Sequence, residues 1–286
     1  MADEAPAIHT VAGVRPWVYD DPKDRVSAAP AVDHPARSLS QWDDLWRPSL
    51  WRSTPESPRP AGIHLVAIAG LVLYANVIVN EVLGPPWYVP FNLGLLGVAL
   101  LLARGGGTTW TSMGMRADRV RRGVVVGGVI AVAIIAFFVL AVAMPSTRDA
   151  FEDQRIIEGS IGLSLYHALF RVPLGTALYE EVLFRGIIFG MLARRASALS
   201  AAVWSSLLFG IWHILPAIDA VETNPIGDAL GGSWEPVVAA VVSTFIAGLG
   251  FVWIRLYAGS IVAPILVHIA SNSTAILAST FVVHIL

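Results

Sequence analysis

From Gly62 onward the chain is a succession of apolar runs, each close to the length of a membrane crossing. A bilayer core about 30 Å thick takes ~20 helical residues to cross. Within it every backbone N–H and C=O must be satisfied without water, which leaves helices or a closed barrel. Runs this long and this continuous predict an all-α fold, a polytopic transmembrane helix bundle. Spans are expected near 62–83, 87–103, 123–144, 174–194, 197–216, 236–256 and 259–284, about seven in all. Composition agrees: hydrophobic residues make up 55% and charged residues 14%, against about 45–50% and 25% in soluble domains. A further apolar stretch, 160–172, is short for a span and ends at Pro173. Proline lacks the N–H that continues a helix, so this stretch reads as a short surface or re-entrant helix ahead of the next span.

Residues 1–60 are of another kind. Residues 1–61 hold nine of the 21 acids and seven of the 19 bases, with proline-rich stretches and no sustained apolar period. They read as a disordered tail without the apolar core of a signal peptide. Its Trp42–Trp51 stretch is suited to the lipid interface, where Trp is enriched. The domain plan is therefore 1–60 tail and 61–286 membrane domain. Arginine placement orients the bundle. Arg104, Arg116, Arg119, Arg121 and Arg122 form one basic connection, Arg194 and Arg195 a second, and Arg255 a third. Acids collect between them, in 145–159 and 216–235. The alternation puts the N-terminus in the cytoplasm and the C-terminus outside; the expected location is the plasma membrane. With no cysteine, thiolate metal sites and a cysteine nucleophile are excluded. No basic run offers a nucleic-acid footprint.

An ionisable group at bilayer depth is costly enough to mark function by default. The late spans hold Glu180, Glu181 and Arg185 in YEEVLFRG, His213 in FGIWH, and His268 with Asn272 in HIASN. Counted from the basic turns, Glu180, His213 and His268 fall at similar depth, roughly 20 Å at ~1.5 Å per residue. Glu181 and Arg185 are i, i+4 and can pair within a helix, which leaves Glu180 turned elsewhere. Phe209 is i−4 to His213 and sets an aromatic ring beside it. A carboxylate, two imidazoles and an amide can activate a water and hold an oxyanion. Taken singly, the bland readings stand: a helix-stabilising pair and hydrogen-bonded packing histidines. Asn76 and Asn80 read as interhelical glue, Ser205 and Ser206 as packing residues, and Gly123, Gly127 and Gly128 as close-approach positions.

In order and spacing, Glu180-Glu181-x-x-x-Arg185, Phe209-x-x-x-His213 and His268-x-x-x-Asn272 resemble the motifs of the CPBP family. These are the type II CAAX prenyl endopeptidases and bacteriocin-processing intramembrane proteases, also called the abortive-infectivity family. The resemblance covers roughly 160–286 and implies hydrolysis of a peptide bond in a membrane-associated or prenylated-type substrate. By it, Glu180 is the general base, and His213 assists it or binds a metal. His268 and Asn272 stabilise the oxyanion, Glu181 and Arg185 support the site, and Phe209 packs against it. Zinc held by Glu180, His213 and His268 and a metal-free, Glu-activated water are both open at this point. Two His and one carboxylate suffice for a catalytic zinc, although no HExxH is present. The expected partners are the bilayer and a peptide or protein substrate. A non-catalytic scaffold or immunity-type protein of the same fold is the alternative. A proton-coupled transporter is disfavoured by the lack of inverted repeats.

Overall fold

The computed structural model describes residues 62–152, 154–222 and 234–286, all within one compact unit. The tail, with Trp42–Trp51, and the acid-rich connection 223–233 lie outside the described residues. Helix α1 spans Gly62–Val77 and ends in a wider turn, Ile78–Val82. Next come α2 (Tyr88–Gly105) and α3 (Val120–Ala143). Helix α4 is continuous over 161–193. Helices α5 (Ala198–Trp212) and α6 (Ile214–Glu222) meet at His213, and α7 (Glu235–Ala258) and α8 (Val262–Ile285) complete the bundle. Among the described residues six helical stretches are long and apolar enough to cross a membrane: 62–82, 85–105, 117–143, 198–221, 235–258 and 262–285. Exposed Val129, Val132, Phe137 and Leu140 on α3 present an outer surface that suits lipid rather than water.

Pro173 does not break the chain. The stretch expected to form a separate short helix runs without interruption into the motif-bearing one. Two long parts of α4, His167–Leu178 and Glu181–Ile188, close i→i+5 hydrogen bonds rather than i→i+4. Such wide turns are rare and concentrate at functional sites. In that ladder the N–H of residue 173 would meet Ala168 O. Proline has none, and Ser273 Oγ of α8 donates to Ala168 O instead, at 2.7 Å. The missing donor becomes a lateral tie between two helices.

Small residues set the other close contacts. A Cβ on Gly127 of α3 would lie 2.7 Å from Ala263 O of α8, and one on Gly248 of α7 would lie 2.9 Å from Ser206. Gly123 is equally tight against Ser260, whereas a Cβ on Gly128 would meet nothing within 4 Å among the described residues. Ser205 and Ser206 are buried, as packing residues should be.

The three basic turns gather at one end of the bundle. Arg255 Nη2 donates to Ser112 O at 2.6 Å, Ile261 N to Gly114 O at 3.0 Å, and Arg194 Nη1 to Thr108 Oγ1 at 3.5 Å. Gly114 has φ +78° and leaves no room for a side chain, since a Cβ would sit 2.9 Å from Arg255 Nε. Arg255 is thus a buried tie at this end, with its guanidinium 4.4 Å from the centre of the Phe189 ring.

Candidate functional site

Four elements bring the polar side chains together. Glu180 and Glu181 lie mid-way along α4, His213 at the α5–α6 break and His268 in the second turn of α8. The depth count from sequence included the α7–α8 turn as helix. In fact α8 starts at Val262, so His268 is only six residues into its helix, ~9 Å along it. Convergence comes from where each helix begins and bends, not from equal counts.

At the centre is Glu180, 4% exposed. Its Oε1 accepts a hydrogen bond from Trp212 Nε1 at 3.3 Å. Among the described residues its Oε2 has no hydrogen-bond partner, and it lies 3.9 Å from both His213 Nε2 and His268 Nε2. The opposite nitrogen of each imidazole is engaged. His213 Nδ1 is 2.8 Å from Phe209 O, and a carbonyl only accepts, so this nitrogen carries hydrogen. His268 Nδ1 is 2.8 Å from Glu181 Oε1. An ionised carboxylate likewise accepts, which places a hydrogen on this nitrogen too. With Nδ1 so engaged, Nε2 is the ring nitrogen that each imidazole turns toward Glu180.

A second layer holds the first. Arg185 Nη1 is 3.2 Å from Glu181 Oε1, and both side chains are almost wholly buried. The pair forms as its i, i+4 spacing predicts, although the turn that carries it is the wider kind. Above the guanidinium lie Phe209, 3.8 Å to its centroid, and Phe251, 4.9 Å. These are distances at which an aromatic face stabilises a cation. Phe209 also packs on His213, with ring centroids 4.4 Å apart, and Phe251 stacks on His268 at 5.2 Å. Asn272 is half-buried one turn beyond His268, and its Oδ1 accepts from Ser271 Oγ at 3.2 Å. It makes no described bond to Glu180 or to either imidazole.

His213 owes its place to a broken helix. Its φ −86° and ψ 2° lie in the sparsely populated bridge region, where active-site residues recur. The expected span 197–216 is therefore two helices with the histidine at their joint. Its side chain is 22% exposed, the open edge of an otherwise buried cluster.

Two contributors were not singled out from sequence. Trp212 carried a signal, because an indole N–H inside a span needs an acceptor, and it adjoins His213. Phe251 carried none, being one aromatic in a uniformly apolar helix.

The donor types suit a catalytic zinc, which takes three protein ligands and an open position. The spacing suits it less well. Arms of 2.0–2.1 Å give tetrahedral edges of about 3.4 Å, shorter than the two 3.9 Å edges here. Among the described residues no three His, Asp or Glu are arranged to hold a metal ion.

Fold and centre together define a helical integral membrane protein with a buried carboxylate–imidazole cluster. Residues 162–274, which contain all three motifs, match the family model described as Rce1-like, type II CAAX prenyl endopeptidase Rce1-like. The similarity to that family is confined to this segment, less than half of the chain, and covers the motif-bearing helices. No curated protein and no solved structure matches the chain.

Proposed function

We propose that the protein is an intramembrane endopeptidase that cleaves a membrane-associated or prenylated-type peptide with a water activated by Glu180. The observation that carries this reading is the open Oε2 of Glu180, set between two imidazole Nε2 atoms at 3.9 Å each. A water there donates one hydrogen to Glu180 and one to His213, which aims its oxygen lone pair at a peptide carbonyl.

Charge balance assigns the second imidazole. Glu180, Glu181 and Arg185 together carry −1, and a buried net charge is unfavourable unless compensated. One further proton on His268, whose Nδ1–H is anchored on Glu181, neutralises the cluster and makes Nε2 a donor. As the water attacks, its proton passes to Glu180 Oε2, and His268 stabilises the tetrahedral oxyanion. Asn272 joins His268 in that role once substrate is present. Collapse of the intermediate breaks the C–N bond, and Glu180 returns its proton to the leaving amine. The products are a carboxylic acid and an amine, whose protons are the two of the attacking water, with no other reactant consumed. Glu181 and Arg185 hold His268 in place, and Phe209 braces His213. The basic end of the bundle lies in the cytoplasm by its arginine content.

The test is cleavage of a prenylated peptide by purified protein in lipid, with and without a chelator. Turnover indifferent to chelation supports the metal-free water. Inhibition that added zinc reverses assigns Glu180, His213 and His268 as metal ligands instead. Absence of cleavage in either condition counts against the protease reading for this substrate class.

A further inference from the structure

Asn76 lies in α1, outside the three motifs and outside the matched segment. It is 8% exposed. Its Nδ2 donates to Trp212 O at 2.8 Å, and its Oδ1 accepts from Asn80 Nδ2 at 2.7 Å. The carbonyl it serves is a special one. In a continuous helix Trp212 O would accept from the N–H of residue 216, which is proline and has none. The ladder resumes immediately, with Ala217 N donating to His213 O at 2.9 Å. Trp212 O would otherwise be a buried, unpaired acceptor at the one bend the site depends on.

Trp212 is therefore held at its backbone by α1 and holds Glu180 with its side chain, through the 3.3 Å bond from Nε1 to Oε1. The next residue in the chain is His213. We infer that Asn76 is a positioning residue: by occupying the carbonyl that Pro216 orphans, it fixes Trp212 and His213 and so aims Glu180 Oε2 between the imidazoles. This rests on the protease reading above. It adds that the early, non-motif helix is part of the catalytic apparatus.

The experiment is a four-variant cycle in the full chain in lipid: parent, Asn76→Ala, Pro216→Ala and the double variant, each assayed for kcat and KM. Misplacement of reacting groups by a fraction of an ångström is enough to cost about ten-fold or more in turnover. Asn76→Ala is expected to lower kcat about ten-fold, with KM changed less than about two-fold, since it removes alignment and not a substrate contact. Pro216→Ala restores an N–H that reaches Trp212 O from within the helix. In that background the Asn76→Ala change should cost less than about three-fold, since the carbonyl keeps a donor. If Asn76→Ala costs the same in both backgrounds, or nothing in the first, the inference is overturned. Should Asn76→Ala fail to fold, recovery of folding and turnover in the double variant supports the same link, and failure of the double variant overturns it. An inactive parent sinks the protease reading itself, a result distinct from any of these.

Discussion

Arg185→Met is the most informative perturbation of the site's framework. Arg185 and Glu181 are 1% and 0% exposed, with Nη1 3.2 Å from Oε1. The same carboxylate oxygen holds His268 Nδ1 at 2.8 Å. Removing the guanidinium moves the three-residue count of Glu180, Glu181 and Arg185 from −1 to −2 and takes from Glu181 the guanidinium that faces it. Taking one partner from a buried ion pair costs about 3–5 kcal/mol. Loss of the cation's contacts with Phe209 and Phe251 adds roughly 1–2 kcal/mol in a desolvated setting. The expected destabilisation is about 5 kcal/mol, comparable to the whole stability of many domains. Glu181→Gln alone strands Arg185 and should cost about 3 kcal/mol. The double variant leaves neither charge stranded and fills the space with an apolar chain, so it should cost only about 2 kcal/mol, far less than the sum. Reversible unfolding in mixed micelles measures all three. Additive single costs, or an Arg185→Met cost under about 1 kcal/mol, would refute the claim that these two charges are held by each other.

Two further outcomes follow from the fold. Ser273→Ala should destabilise the protein by about 1–3 kcal/mol, because Ala168 O loses the donor that replaces the missing N–H of Pro173; a neutral Ser273→Ala/Pro173→Ala double variant in the same unfolding assay would confirm the origin. Cysteines introduced at Thr111 and Ser146, both exposed in this cysteine-free chain, should react with impermeant reagent from opposite sides of the membrane, Thr111 from the cytoplasm; labelling of both from one side contradicts the topology.

What was legible in the sequence was what depends on residue type and short spacing. Apolar run length announced helices because a membrane admits little else. The i, i+4 pairs at Glu181–Arg185 and Phe209–His213 form because any helix brings such residues together. What stayed hidden depends on partners distant in sequence. Pro173 looks like a breaker until Ser273, a hundred residues later, is seen to take the freed carbonyl. Pro216 reveals a bend at His213 only when Asn76 is found on Trp212 O. Arg255 looks like a solvated loop charge, but a carbonyl at Ser112 and the ring of Phe189 bury it. Local spacing carries no record of such ties. An unusual polar residue on an early helix, such as Asn76, hints that one exists without saying to what.

The central claim is that Glu180 takes the proton of the attacking water, and Glu180→Gln tests it most directly. The amide keeps the shape and can still accept from Trp212 Nε1, but it cannot serve as the base. Turnover of a prenylated peptide in lipid, measured beside unfolding of the same preparation, should fall at least ~10²-fold while stability is retained. A stable Glu180→Gln protein that cleaves at the parent rate would contradict the account.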